Sequence, residues 1–314
     1  MQTRDKYLTP HTSYLILQTM KHFLQYSLLL LLTSFVIISS CGNNPDNQAV
    51  NHKSSTAANG VVLAKGSYDL EKVVKSEMKK KLKEISGIHY LKDNLFVAIQ
   101  DESGKIFTVN FTNSEITEEL TFGENGDYED VTLDDRNYYV LESVGKIYRV
   151  PRTGDTSQVK IFQIPFKKHM EFESIYLDQS GENLIMICKN CPGKNNLTKY
   201  AYGFNLKKEV FADDALFIID LSLIPGLKNS EDVTIKPSAT AIHPIEKKLY
   251  VLCSVGKMLL VCNLQGKVEQ AYPLNPEIYR QPEGIAFTPN GDMYISNEAA
   301  EGDKGNILKL AYLK

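Results

Sequence analysis

Tryptophan is absent from this chain of 314 residues, and with it the signature residue of WD-type and kelch-type repeats. Neither charge sign dominates: 35 Lys and Arg stand against 38 Asp and Glu, so nucleic acid is not implied as a partner. Beyond residue 65 the histidines are His89, His169 and His243. No Gly-x-Ser-x-Gly, His-Glu-x-x-His or Walker-type glycine loop occurs, so the usual signatures of serine hydrolases, zincins and P-loop enzymes are missing. Cysteine is sparse. Cys188-Lys189-Asn190-Cys191 is a CxxC, but no second CxxC exists to build a zinc knuckle, and it follows a strand rather than lying in a βαβ unit. A pair of thiols and a disulfide both stand open for it, while Cys253 and Cys262, on successive strands, read as packing residues.

Long apolar runs are also scarce. The one at 28–38 is shorter than the ~20 residues of a membrane-spanning helix. It follows the basic start Met20-Lys21-His22 and ends at Ile38-Ser39-Ser40-Cys41, the arrangement of a secretory signal. Small residues directly before a cysteine resemble a bacterial lipobox, which makes Cys41 the lipidated residue and the membrane a partner through that anchor. Met20 opens a better signal than Met1. From 42 to about 60 the chain is rich in Asn, Ser, Pro and Ala and reads as a tether. The expected organisation is a signal over 1–40, a lipidated cysteine and tether over 41–65, and one domain over 66–314. Gly42 is not a retention aspartate, which leans towards the outer membrane, facing the periplasm. Lys79-Lys80-Lys81-Leu82-Lys83 is a charge cluster that could touch anionic lipid but reads better as a solvated loop.

What the domain has is a repeat. Ser86-Gly87-Ile88, Glu129-Asp130-Val131, Glu173-Ser174-Ile175, Ser238-Ala239-Thr240 and Glu283-Gly284-Ile285 recur at steps of 43, 44, 65 and 45 residues. Each opens a series of short apolar or alternating runs separated by turn residues, as in 88–91, 95–99, 105–110 and 115–122. A period of roughly 40–50 residues built from short strands is that of a β-propeller, with one blade per copy. The expected fold is therefore all-β, a five-bladed β-propeller. The third copy is longer because 190–199 and 207–215 read as extended loops, and it ends on a strand over 216–220. The last copy has only three strands, and residues 66–72 are expected to close the ring by pairing 68–70 with 306–310.

In a ring, equivalent registers converge on one axis. The starts of the first strands and the ends of the second strands then share one face. That mouth would gather Glu129, Glu173, Glu283, Asp101, Glu142, Asn297 and Glu298 around Lys189. Carboxylates at such density need a cation, and calcium takes 6–8 oxygen ligands. Glu129, Glu173 and Glu283 are the candidate ligands, with Asn297 next. Lys189, Glu142, Glu298 and Asp101 are the candidate ligand-binding residues. The glutamates could equally cap amides or pair with Lys189 and Arg280, and Lys189 could anchor an anionic ligand.

Ile85-Ser86-Gly87-Ile88, Asp127-Tyr128-Glu129-Asp130-Val131, Cys188-Lys189, Lys236-Pro237-Ser238-Ala239, Gln281-Pro282-Glu283-Gly284-Ile285-Ala286 and Tyr294-Ile295-Ser296-Asn297-Glu298 together resemble the SdiA-regulated family of envelope lipoproteins and membrane-anchored proteins. The resemblance runs from about residue 68 to the C-terminus. It implies a five-bladed propeller distantly related to NHL-repeat propellers, with a calcium site in at least one member, and no established activity. The residues favour a non-catalytic, lipid-anchored envelope module, calcium-binding, that takes a small-molecule or protein partner. The alternative is a calcium-dependent hydrolase of lactones or phosphoesters at the channel mouth, a reading by fold analogy.

The anchor has a direct test. In Cys41→Ala the precursor should stay uncleaved and acyl labelling should vanish, whereas normal labelling of that variant removes the lipobox reading.

Overall fold

In the computed structural model the described residues are 66–165, 170–191, 196–227, 234–300 and 303–313. The segments expected to be a signal and a tether, with Cys41, and His169 lie outside them. Strands run in chain order. β1 (Val74–Glu77) comes first. The first blade is β2 (Ile85–Lys92), β3 (Leu95–Gln100), β4 (Ser103–Asn110) and β5 (Ile116–Asn125), and the second is β6 (Tyr128–Leu133), β7 (Asn137–Glu142), β8 (Lys146–Pro151) and β9 (Lys160–Gln163). The third holds β10 (Glu171–Leu177), β11 (Asn183–Asn190), β12 (Thr198–Asn205), β13 (Val210–Phe211) and β14 (Phe217–Asp220). The fourth is β15 (Lys236–Ile242), β16 (Leu249–Val255), β17 (Met258–Cys262) and β18 (Val268–Pro273). The fifth is β19 (Pro282–Phe287), β20 (Met293–Asn297) and β21 (Asn306–Leu310). Each set is one antiparallel sheet, and β1 completes the last of them. The inner strands adjoin in turn, β2 to β6, β6 to β10, β10 to β15, β15 to β19 and β19 back to β2. This is the five-bladed propeller expected from the repeat.

Alternation along each strand explains the core. Side chains at successive positions face opposite sides of the sheet, so one set meets the preceding blade and the other the following one. Phe96 and Ala98 pack with Tyr294 and Ile307 of the fifth blade, while Val97 and Ile99 pack with Val131 and Val140 of the second. Each seam between blades holds one such apolar cluster. Burying one of these large side chains contributes about 1.5–3 kcal/mol. In the absence of tryptophan, tyrosine supplies much of the aromatic volume, and each buried hydroxyl needs an acceptor. Tyr139 donates to Asp134 at 2.7 Å, Tyr250 to Glu246 at 2.7 Å and Tyr279 to the Leu70 carbonyl at 2.8 Å. Asp93 and Asn94, both with positive φ, make the two-residue hairpin between β2 and β3.

Ring closure follows the expected logic with a different segment. The strand that pairs with β21 is Val74–Glu77, with Val74 opposite Lys309 and Glu77 opposite Asn306, and not residues 68–70. This strand is a sheet edge with Ser76 alone buried, so it lacks the apolar alternation that marks interior strands. Ser76 in turn donates to the Phe111 carbonyl of the first blade at 2.5 Å. Residues 66–70 act as a clasp one seam away. Tyr68 is buried among His243, Tyr250, Phe287 and Tyr312, and its hydroxyl donates to the Gly291 carbonyl at 2.5 Å. His243 Nδ1 accepts from the amides of Ile245 and Glu246, which leaves its Nε2 proton to reach the Tyr68 oxygen at 2.7 Å. The third blade ends on β14, as expected for 216–220, and departs from expectation only within the loop 207–215, where the short β13 also pairs with β12.

The clasp predicts a stability loss. Tyr68→Phe removes the donor to the Gly291 carbonyl and the acceptor of the His243 Nε2 proton in a buried seam, which should cost about 1–3 kcal/mol in denaturant unfolding. An unchanged midpoint would mean that the segment contributes nothing to closure.

Candidate functional site at the channel mouth

The repeated triplet is a β-bulge. Tyr128 faces Glu142 and Asp130 faces Leu141, leaving Glu129 without a cross-strand partner. The same shift isolates Glu173 between Phe172 and Ser174, Ser238 between Pro237 and Ala239, and Glu283 between Pro282 and Gly284. In β2 the pairing skips from Ile85 to Ile88, leaving Ser86 and Gly87 out. A bulge kinks its strand and re-aims the extra side chain. That is how three carboxylates from three blades come to share one mouth.

Outside the second blade, the second residue of the triplet is small because the next blade lies against it. A Cβ on Gly87 would stand 2.4 Å from the Asp130 carboxylate, and one on Gly284 2.6 Å from the Ser86 carbonyl. Hydrogen bonds stitch the seams at this level. Ser238 Oγ donates to the Pro282 carbonyl at 2.7 Å, and Ser296 Oγ to the Ser86 carbonyl at 2.6 Å. Asp130 accepts the amides of Val131 at 2.8 Å and Ile175 at 2.9 Å, so this buried carboxyl is structural; burial nevertheless pushes its pKa well up.

The bulge glutamates feel one another. Burial first, then the charge of Glu173, push Glu129 up to about 9. Burial and Glu173 likewise push Glu283 up to about 8. Glu173 is raised by burial although Lys189 pulls against it. Lys189 Nζ pairs directly with Glu173, and against the effect of burial the charges of Glu173, Glu129 and Glu283 hold its ammonium above the usual lysine range. The CxxC frames this lysine. Cys188 and Cys191 are joined as a disulfide with Cα atoms 5.4 Å apart, and Lys199 Nζ donates to the Lys189 carbonyl at 3.0 Å. Cys253 and Cys262 are buried free thiols in the seam between blades three and four.

The other expected residues fall into two groups. Glu298 and Asp101 join a second acidic knot at the seam of blades five and one. Burial and a shared hydrogen bond with Glu84 push Glu298 up to about 8, while that same bond and Lys83 lower Glu84. Burial, then Glu84, push Asp101 up to about 6. Glu142 stands apart, its carboxylate taken by Lys146 at 3.0 Å and the Tyr148 hydroxyl at 2.6 Å. Asn297 is 1% exposed; its amide nitrogen donates to Asn306 at 3.1 Å, and its Oδ1 has no hydrogen-bond partner. Glu84, Asp127 and Lys257 also act on the mouth and lie outside the repeated triplet, in the residues just before a strand. The one sequence hint for them is that Glu84 and Asp127 both stand two residues ahead of a bulge position. Among the described residues no three His, Cys, Asp or Glu side chains form a ready-made metal cage.

A family model described as SdiA-regulated matches residues 61–300, well over half of the chain. A search of curated proteins found no match. Among solved structures, the glutaminyl cyclase of Myxococcus xanthus is similar at 10% identity and a TM-score of 0.50, covering 76% of this chain and 94% of that one. A luciferin-regenerating enzyme aligns at 11% identity and a TM-score of 0.46, over 77% and 96% of the two chains. A streptogramin B lyase aligns at 11% and 0.46, over 76% and 98%. The likeness to the cyclase is one of fold.

The raised carboxyls set a pH dependence. A group whose pKa is higher in the folded state than the ordinary carboxylate value stabilises the fold below that value, and the contribution is lost as pH rises through the folded pKa. For Glu129 and Glu283 this window runs from about 4.5 to 8–9. His89, pushed down to about 4 by burial, acts in the opposite sense, and its effect lies between its ordinary value near 6.5 and about 4. Above pH ~6.5 the glutamates therefore act without it. The unfolding midpoint in the presence of a chelator should fall from that pH to about 9, and Glu129→Gln should flatten the slope; a flat wild-type profile contradicts the buried acidic cluster.

Proposed function

The chain belongs to the SdiA-regulated family, and from that premise we propose that it is a binding module of the cell envelope, tethered by lipid on Cys41 and facing the periplasm from the outer membrane, whose mouth takes calcium. The observation that carries the proposal is the buried glutamate cluster, drawn from three blades and offset by Lys189. Burial, and then the charge of Glu173, hold two of its members, Glu129 and Glu283, in the protonated form at neutral pH although Lys189 pulls against it. A bound cation reverses that balance, because an opposite charge favours the ionised carboxylate.

The donor chemistry suits calcium, a hard ion bound by carboxylate and amide oxygens. Glu129, Glu173 and Glu283 would hold it, with the unpartnered Asn297 Oδ1 as a further oxygen donor. Bound calcium would neutralise the mouth and link blades two, three and five. Lys189 already pairs with Glu173, so ion and ammonium compete for one carboxylate. A small molecule or protein bearing its own oxygen donors could complete the ion's shell.

One observation favours the second reading, a calcium-dependent hydrolase of lactones or phosphoesters. A carboxyl with a pKa near 8 or 9 is a proton donor at neutral pH, as general acid catalysis requires. Against it, neither described histidine joins the glutamates: His243 is bonded to Tyr68, and His89 lines the channel beyond them. The binding module is therefore the stronger reading.

Calorimetric titration and thermal melting with calcium test the proposal. At a hundredfold excess over Kd a ligand of the folded state adds about 2.7 kcal/mol. Glu129→Gln, Glu173→Gln or Glu283→Gln should each weaken the response, any two together should remove it, and the exposed Glu115→Gln should leave it intact. Lys189→Met should tighten calcium binding by removing the competitor. Melting that is indifferent to calcium sinks the metal proposal, and turnover of a γ-lactone or of p-nitrophenyl phosphate that depends on Glu129 would favour the hydrolase.

A further inference from the structure

Beyond the level of the bulges the channel opens into a cavity of about 220 Å³ that none of the three bulge glutamates lines. All five inner strands wall it. Each of these strands is terminal in its sheet, so one edge of its peptide groups is left unpaired by strand hydrogen bonds. No lysine, arginine or glutamate contributes to the wall, and its one carboxyl, Asp130, already accepts two backbone amides.

Three polar side chains from three blades enter the same space. Thr240 is 4% exposed and its Oγ1 has no hydrogen-bond partner. His89 Nδ1 meets Thr132 Oγ1 only at 3.5 Å, the outer limit of a hydrogen bond. Burial pushes the His89 pKa down to about 4, so the imidazole is neutral over most of the useful pH range. At the strand ends, half-buried Leu177, Ile242 and Phe287 give the cavity an apolar rim.

We propose that this cavity is a binding site, separate from the acidic mouth, for a small uncharged molecule with a hydrogen-bonding head and an apolar ring or chain. The head meets Thr240, His89 and the free peptide edges, and the apolar part lies against Leu177, Ile242 and Phe287. Charged molecules are disfavoured because the wall offers no free counter-charge, Asp130 being held by two amides and Arg152, whose charge reaches His89, lying outside the lining, and stripping an ion of water without a partner is costly. The volume is that of about seven waters at ~30 Å³ each, enough for a single ring with one substituent. Ordered water is the competing occupant.

Benzamide and benzyl alcohol serve as neutral probes, with benzoate and benzylammonium as charged counterparts of similar size. Binding to the full chain is followed by ligand-observed NMR and calorimetry. The neutral probes should bind saturably and the charged ones at least about tenfold more weakly, a gap of about 1.4 kcal/mol. Thr240→Val, near-isosteric, should weaken neutral binding about fivefold or more by removing the head's partner. Thr240→Phe, which puts a ring where the buried threonine enters the cavity, should abolish it, and if that variant does not fold, Thr240→Val still decides. A folded wild type that binds no neutral probe holds water alone, and the proposal falls. It falls equally if charged and neutral probes bind alike, or if Thr240→Val leaves neutral affinity unchanged.

Discussion

One extra residue in each inner strand governs the geometry at the axis of this ring, because a strand without a bulge would keep its side chains in the seams between blades. The bulge breaks the alternation at a single position and turns that side chain towards the mouth. The next residue must then pass the neighbouring blade closely, which admits glycine at 87 and 284 and small residues at 174 and 239. Asp130 is the exception, and it meets the constraint by using its carboxylate as a surrogate backbone acceptor for Ile175. The fold and the candidate site thus share one device.

Electrostatics at the mouth follow from that geometry. Three bulges carry glutamate and two carry serine, so the ring is polarised towards blades two, three and five. Burial there disfavours charge, and like charges add to the effect. Lys189 offsets part of it from the end of β11, where the Cys188–Cys191 disulfide and Lys199 hold its backbone. The far half of the channel has the opposite character, neutral and partly apolar, so the two ends of one axis suit different chemistry.

Closure ties the chain's ends together in two places. β1 supplies the outer strand of the last blade, and Tyr68 locks the seam between blades four and five. Hydrogen bonds across the seams, including Ser238 to Pro282 and Ser296 to Ser86, make the mouth a property of the closed ring. No single blade carries the site.

The repeat, the blade number and the register of Glu129, Glu173 and Glu283 were legible in the amino-acid order, because a bulge followed by a small and then an apolar residue leaves a local pattern. The edge strand 74–77 was not, since an edge with one buried side chain has no periodicity. Nor were Glu84, Asp127 and Lys257, which reach the mouth from residues just outside the strands and whose approach depends on neighbouring blades. The sequence placed Lys189 at the mouth and offered it as a partner for the glutamates; that Glu173 is the one it pairs with follows from β11 lying beside β10, and the disulfide is one of the two states the CxxC left open. Local order determined which residues turn inward; tertiary structure decided their partners and protons, because burial and charge act through space between blades that sequence separates by 40 residues or more.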